Sequence, residues 1–214
     1  MSFHRTLFFD GCNLNSPVID CVNNYSRIPS ATVVHKKGDI IKALKDGRKY
    51  QLITIAGHGA KDEISVGSGM QSSDNPRMEI SLKKFDQSLL FFKCLKKHLD
   101  TEHSTPIVFL AGCEIYDCMD SHEKSSLLWR ISTVMKDVLV IAPSTLIRPA
   151  LKSNAVKIKF EFKPGKEADF DFYLTLGAFR NGTRIDEIST ILELTKCTSE
   201  EELHKYLCRW EMKI

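Results

Sequence analysis

The sequence predicts an α/β fold, a mostly parallel central sheet with helices on both faces. Three observations point to it. Short apolar runs rich in β-branched and aromatic residues recur without alternating, as strands buried on both faces do. Between them lie stretches whose apolar residues fall at three- and four-residue steps, the spacing of a helix with one buried stripe. Strands and helices that alternate in this way join parallel neighbours through right-handed crossovers.

In chain order, the strands are TLFF (6–9), a weaker ATVV (31–34), LITIA (52–56), IVFLA (107–111) and VLVIA (138–142). SPVIDCVNNYS (16–26) and GDIIKALKDG (38–47) supply helices between the first three. The longest helical stretch is 81–100, with Leu82, Phe85, Leu89, Phe92 and Leu95/Lys96 along its stripe, and EKSSLLWRISTVMKD (123–137) repeats the pattern. Residues 59–81 are rich in Gly, Ser, Asn and Asp and read as a long loop or small hairpin. Loops of that length in a compact domain are often functional. VKIKFEF (156–162) alternates, which predicts an antiparallel or edge strand, and PGK (164–166) a turn. DFDFYLTLGAFRNG (169–182) reads as a helix with Asn181-Gly182 at its C-cap. A further helix over RIDEISTILELTK follows, starting at Thr183 or Asp186, and TSEEELHKYLCRWEMKI (198–214) forms the last, opened by a capping pattern. No internal repeat or linker divides the 214 residues, so a single domain over 1–214 is expected.

Composition narrows the function classes. Hydrophobic residues at 43% and charged residues at 27% are those of a soluble globular protein, and the net charge of +3 argues for neither nucleic acid nor a membrane as partner. The lysines of KCLKKH (93–98) and KIKFEFKPGK (157–166) read as a solvated helix face and a charge-guarded strand edge. No segment approaches the roughly 18 apolar residues that span a bilayer. The N-terminal apolar run ends at Asp10, without the length or cleavage site of a signal peptide. A cytoplasmic location follows as an expectation. Seven scattered cysteines with no CxxC fit free thiols in a reducing compartment rather than a disulfide framework.

Chemistry concentrates in two places. LITIAGHGA drives a strand into His58, and PIVFLAGCEIYD drives another into Cys113. Ligands of open parallel sheets bind beyond the carboxyl ends of the strands. If these two strands are neighbours, His58 and Cys113 emerge at the same edge, the layout that nucleophilic catalysis requires. A free thiol with a pKa of about 8.5 is only a few per cent thiolate near neutrality, and a nearby imidazole raises the reactive fraction. Gly57, Gly59 and Gly112 flank the pair; they allow tight turns and leave room for a substrate backbone. The backbone N–H groups of Gly59 and Cys113 would then face a developing oxyanion. The competing interpretation makes Cys113 a small buried residue at the end of a core strand.

ITIAGHGA and IVFLAGCEI resemble the two motifs of the caspase-like clan of cysteine peptidases: a strand ending in His-Gly, and a strand ending in a small residue and Cys. The order of HG, long loop, helix, strand–Cys, helix and strand is most similar to a stand-alone bacterial CHAT-domain peptidase, and DFYLTLGAFRNGTRIDEISTIL resembles the closing helix pair of that domain. The resemblance spans roughly residues 5–195. It implies a caspase-like three-layer sandwich, with Cys113 as nucleophile, His58 as general base and acid, and the Gly59 and Cys113 amides as oxyanion hole. It also implies a protein substrate, and no cofactor or metal is expected. Regulation would come through the 59–81 loop by a separate activator or sensor protein, in a bacterial defence or cell-death pathway. The sequence departs from CHAT domains where they carry Ser-Ala before the Cys, Thr two residues after it and Trp-Pro after the next strand. Here Ala111-Gly112, Ile115 and APSTLIRPA (142–150) stand in those places.

By the same resemblance the substrate pocket forms around Asp10, Gly112 and Arg148. Asp10 would favour a basic residue before the scissile bond and Arg148 an acidic one. If the two pair with each other, an apolar residue is favoured. Cys12 lies near the same edge, where burial is the simpler explanation. Cys118, His122 and Cys113 match no standard zinc spacing, and Asp117 and Asp120 read as a solvated loop. A non-catalytic interaction module of the same fold is the alternative function. A nucleotide-binding α/β protein is disfavoured, because no P-loop or GxGxxG follows any strand.

Overall fold

The computed structural model describes residues 4–9, 31–34, 37–66, 78–112, 115–116, 126–144, 146–152, 155–161 and 176–211. The five predicted strands are present: β1 (His4–Phe9), β2 (Ala31–Val34), β3 (Leu52–Ala56), β7 (Ile107–Ala111) and β8 (Leu139–Pro143). They pair in parallel, and with β11 (Leu176–Arg180) and β12 (Thr183–Arg184) they make a seven-stranded sheet in the order β12-β11-β8-β7-β3-β1-β2. β11 and β12 run antiparallel to their neighbours. The chain leaves β1 towards β2 on one side and builds β3, β7 and β8 on the other, so the order reverses at β1/β3. In sheets of this kind, such a reversal opens a crevice at the carboxyl ends.

Both faces are covered. Along β3 and β7, Ile53, Ile55, Val108 and Leu110 join one buried cluster, while Leu52, Ile107, Phe109 and Ala111 join the other. The first cluster also holds Ile40 and Leu44 from α1 (Lys37–Ala43) and the turn after it, Phe91, Phe92 and Leu95 from α2 (Asp86–Lys96), and Leu127, Leu128 and Ile131 from α3 (Leu127–Val134). The second holds Ile191 from α4 (Ile188–Thr195) and Leu203 and Leu207 from α5 (Glu200–Cys208). Continuous apolar strands are the consequence of two cores, one per face. Ser126 caps α3 by accepting from the Trp129 N–H at 3.2 Å. At α5 the Glu202 carboxylate reaches back to the Thr198 N–H at 2.6 Å while Ser199 Oγ accepts from the Glu202 N–H at 3.1 Å, the reciprocal cap that its sequence predicts.

Of the predicted loop or small hairpin over 59–81, residues 59–66 and 78–81 take the hairpin form, and 67–77 lie outside the described residues. β4 (His58–Ala60), β5 (Glu63–Val66) and β6 (Met78–Ser81) form a small antiparallel sheet. The helical stripe from Leu82 starts later than its spacing suggests, because Ser81 still belongs to β6 and α2 begins at Asp86. β10 (Ala155–Glu161) is antiparallel, as alternation predicts. It is the middle strand rather than the edge, between β9 (Leu146–Lys152) and β13 (Arg209–Glu211). The last predicted helix accordingly stops at Cys208, and Arg209–Glu211 are strand.

One expectation is corrected outright. Residues 176–184 are not helical: they form the β11–β12 hairpin. Asn181 and Gly182 have φ of 56° and 73°, so the pair fills a two-residue turn with both central residues left-handed, where Asn-Gly is favoured. The turn rests on α3, with the Gly182 N–H donating to Ser132 Oγ at 3.1 Å. Thr183 therefore lies in β12, and the next helix starts only at Ile188. The likeness of this stretch to a closing helix pair fails over these residues. The predicted helix over 16–26, the turn over 164–166 and residues 169–175 lie outside the described residues.

Candidate active site

β3 and β7 are direct neighbours, and their last residues, Ala56 and Ala111, are register partners. The two chains then continue past the sheet side by side. The Gly57 N–H donates to the Ala111 carbonyl at 3.2 Å. Five residues further on, the Asp62 N–H donates to the Ile115 carbonyl at 2.9 Å. Between these ties the backbones touch: a Cβ built on Gly112 would lie 3.0 Å from both the N and the Cα of Gly59 and 2.9 Å from Ile115 Cδ1. Glycine at 112 is therefore explained by the approach of the chain's own Gly59.

His58 and Gly59 lie in β4, opposite Ser65 and Ile64 of β5. The turn joining β4 to β5 is Lys61-Asp62, with Asp62 left-handed at φ 55°. Asp and Asn are among the few non-glycine residues that tolerate that region. Asp62 is also a junction. Besides its N–H bond to Ile115, its carbonyl accepts from the Leu82 N–H at 3.0 Å, and its carboxylate accepts from the Leu127 N–H at 2.7 Å at the start of α3. The segment after β7 is anchored once more where the Tyr116 N–H donates to the Pro143 carbonyl at the end of β8, 3.1 Å away. The Tyr116 ring lies on Gly177 of β11, edge-on to Phe179 at 5.7 Å, with the Arg184 guanidinium 5.6 Å from its centre.

Of the residues singled out in the sequence, His58, Gly59 and Gly112 thus sit together beyond the adjoining ends of β3 and β7. Cys113 and Asp10 lie outside the described residues, each directly following a described one: Gly112 and Phe9, the last residue of β1. Cys12, Asp117, Cys118, Asp120 and His122 also lie outside them. Arg148 is in β9, opposite Lys159 of β10, on the chain that leaves the carboxyl end of β8. Ile115, which stands where CHAT domains carry Thr, is fully buried against Gly112. Asp62 was not singled out in the sequence; a turn-forming Lys-Asp pair is the only local signal.

Among the described residues no cluster of His, Cys, Asp or Glu could hold a metal ion, and no helix is long and apolar enough to cross a membrane. Cys94 is a partly exposed free thiol, whereas Cys197 is buried, and that burial pushes its pKa up. No protein-family model matches the chain, and no curated protein matches it.

Proposed function

We propose that this chain is a cysteine endopeptidase of caspase-like, CHAT-type fold that cleaves a protein substrate with Cys113 and His58. The observation that carries the proposal is the contact between Gly59 and Gly112. It joins backbone to backbone the residue after the histidine and the residue before the cysteine, at the carboxyl edge of neighbouring strands. The parallel order with its reversal at β1/β3 supports a substrate crevice on that edge.

The Cys113 thiol, its proton passed to His58, attacks the scissile carbonyl carbon. The negative charge that develops on the carbonyl oxygen faces the N–H groups of Gly59 and Cys113. Collapse of the tetrahedral species breaks the C–N bond, His58 returns the proton to the departing amine, and an acyl-thioester remains. Water, deprotonated by His58, then hydrolyses the thioester; the acid leaves and the thiol is restored. Asp10 and Arg148 are the proposed determinants of the residue before the scissile bond. Cytoplasmic location, activation by a separate sensor protein and a place in bacterial defence or regulated cell death rest on family analogy alone.

The test is cleavage of a peptide library by the purified chain, with any required activator supplied from its own lysate. Cys113→Ala is expected to abolish cleavage, and His58→Ala to lower the rate by about 10²–10⁴-fold, the usual loss of general acid–base catalysis. Cleavage that survives Cys113→Ala contradicts the proposal.

A further inference from the structure

We infer that Asp62 is a positioning residue for the Cys113–His58 pair: it fixes the His58 hairpin against the segment that follows Cys113 and against the start of α3. The inference rests on the proposed dyad. Its basis is that one residue bonds three separate segments. The Asp62 N–H holds Ile115, two residues beyond Cys113; its carbonyl holds Leu82, directly after β6; its carboxylate holds the first N–H of α3. Among the described residues, the Gly57 N–H bond to Ala111 ties the hairpin to β7 on the other side of His58, and the Gly59–Gly112 contact lies between the two ties. These backbone ties bracket His58, and the carboxylate bond to α3 adds the one tie that depends on the Asp62 side chain, holding the β4–β5 turn against the helix. The carboxylate bond to the Leu127 N–H is charge-assisted and short at 2.7 Å. It also satisfies one of the orphan donors of a helix start, where negative charge is favoured. Asp62 accepts a left-handed backbone for these bonds, with φ at 55°.

The experiment follows the pH dependence of Cys113 alkylation by iodoacetamide, with buried Cys197 as an internal reporter of unfolding. Asp62→Gly removes the carboxylate and suits the left-handed backbone, so loss of the bond is separated from strain. Asp62→Asn keeps an oxygen that accepts from Leu127. In the wild type, a thiolate paired with imidazolium keeps reacting below the free-thiol range of about 8.5. Asp62→Gly is expected to slow Cys113 alkylation at least tenfold near neutral pH and return its profile to that of a free thiol. Asp62→Asn should stay within about threefold of wild type, since its side-chain oxygen still accepts from the Leu127 N–H and keeps the hairpin in place. If Asp62→Gly exposes Cys197, Asp62→Ser, too short to reach Leu127, replaces it with the same expectation. An unchanged profile in the folded deletion variant, with His58→Ala collapsing it, overturns the role of Asp62 and leaves the dyad standing. A profile unmoved by His58→Ala overturns the dyad, and the Asp62 proposal with it.

Discussion

Replacing Gly112 by alanine is expected to disable the site more than it destabilises the fold. The added Cβ meets Ile115 Cδ1 at 2.9 Å, and a side-chain end of that kind can rotate away. It also meets the N and Cα of Gly59 at 3.0 Å, and backbone cannot rotate away. Relief therefore comes from lifting the His58 hairpin off the end of β7 by a few tenths of an ångström or more. Overpacking of this size costs about 1–3 kcal/mol, which a domain of this length tolerates. The reaction is less forgiving, because misplacing reacting groups by about 1 Å costs on the order of 10²-fold. Gly112→Ala should thus fold cooperatively, yet lose about tenfold in Cys113 alkylation or in peptide cleavage, rising towards 10²-fold as the shift approaches 1 Å. Thermal unfolding and rate measurement on the same sample check both halves.

Gly177→Ala is expected to produce the largest loss of stability of a methyl added at any of the described glycines. Its Cβ would lie 2.3 Å from Tyr116 Cγ and 2.4 Å from Cδ1, well inside contact distance. The ring has little room to yield, because Tyr116 is buried, packs edge-on against Phe179 and lies beside the Arg184 guanidinium. A loss of about 3 kcal/mol is expected, at the upper end of overpacking effects. For a chain of this size that is a fall in Tm of roughly 6–12 °C. The strain also reaches the candidate site, since Tyr116 follows Ile115, whose carbonyl holds Asp62. Calorimetry of Gly177→Ala checks the stability loss. The double variant with Tyr116→Leu, which removes the obstructing ring, should recover part of it relative to Tyr116→Leu alone.

How far the sequence reveals all this depends on the kind of contact involved. β1, β2, β3, β7 and β8 are legible because a strand flanked by two cores must be apolar throughout, as Ile107–Ala111 is. That His58 and Gly112 meet at one edge is legible too, given parallel pairing of neighbouring strands. The β11–β12 hairpin is not, because Asn-Gly serves both helix C-caps and tight hairpin turns, and LGAFR is short enough to fit either. Gly112 shows a different limit. A glycine before a candidate nucleophile suggests space for a substrate, yet the neighbour that needs the space is Gly59, a tertiary contact that no local pattern encodes. Asp62 is hidden for the same reason, since its partners Ile115, Leu82 and Leu127 are far from it in sequence.

Competition among the chain's own thiols shows whether Cys113 is a nucleophile activated by His58. The native protein is treated with limiting iodoacetamide near neutral pH, and the modified cysteines are mapped by mass spectrometry. Cys94, a partly exposed thiol, sets the ordinary rate, and Cys197, whose pKa burial raises, sets the inert one. Cys113 is expected to be modified at least tenfold faster than Cys94, and His58→Ala to bring it down to the Cys94 rate. Modification of Cys113 no faster than Cys94, unchanged by His58→Ala, would contradict a nucleophilic Cys113 activated by His58.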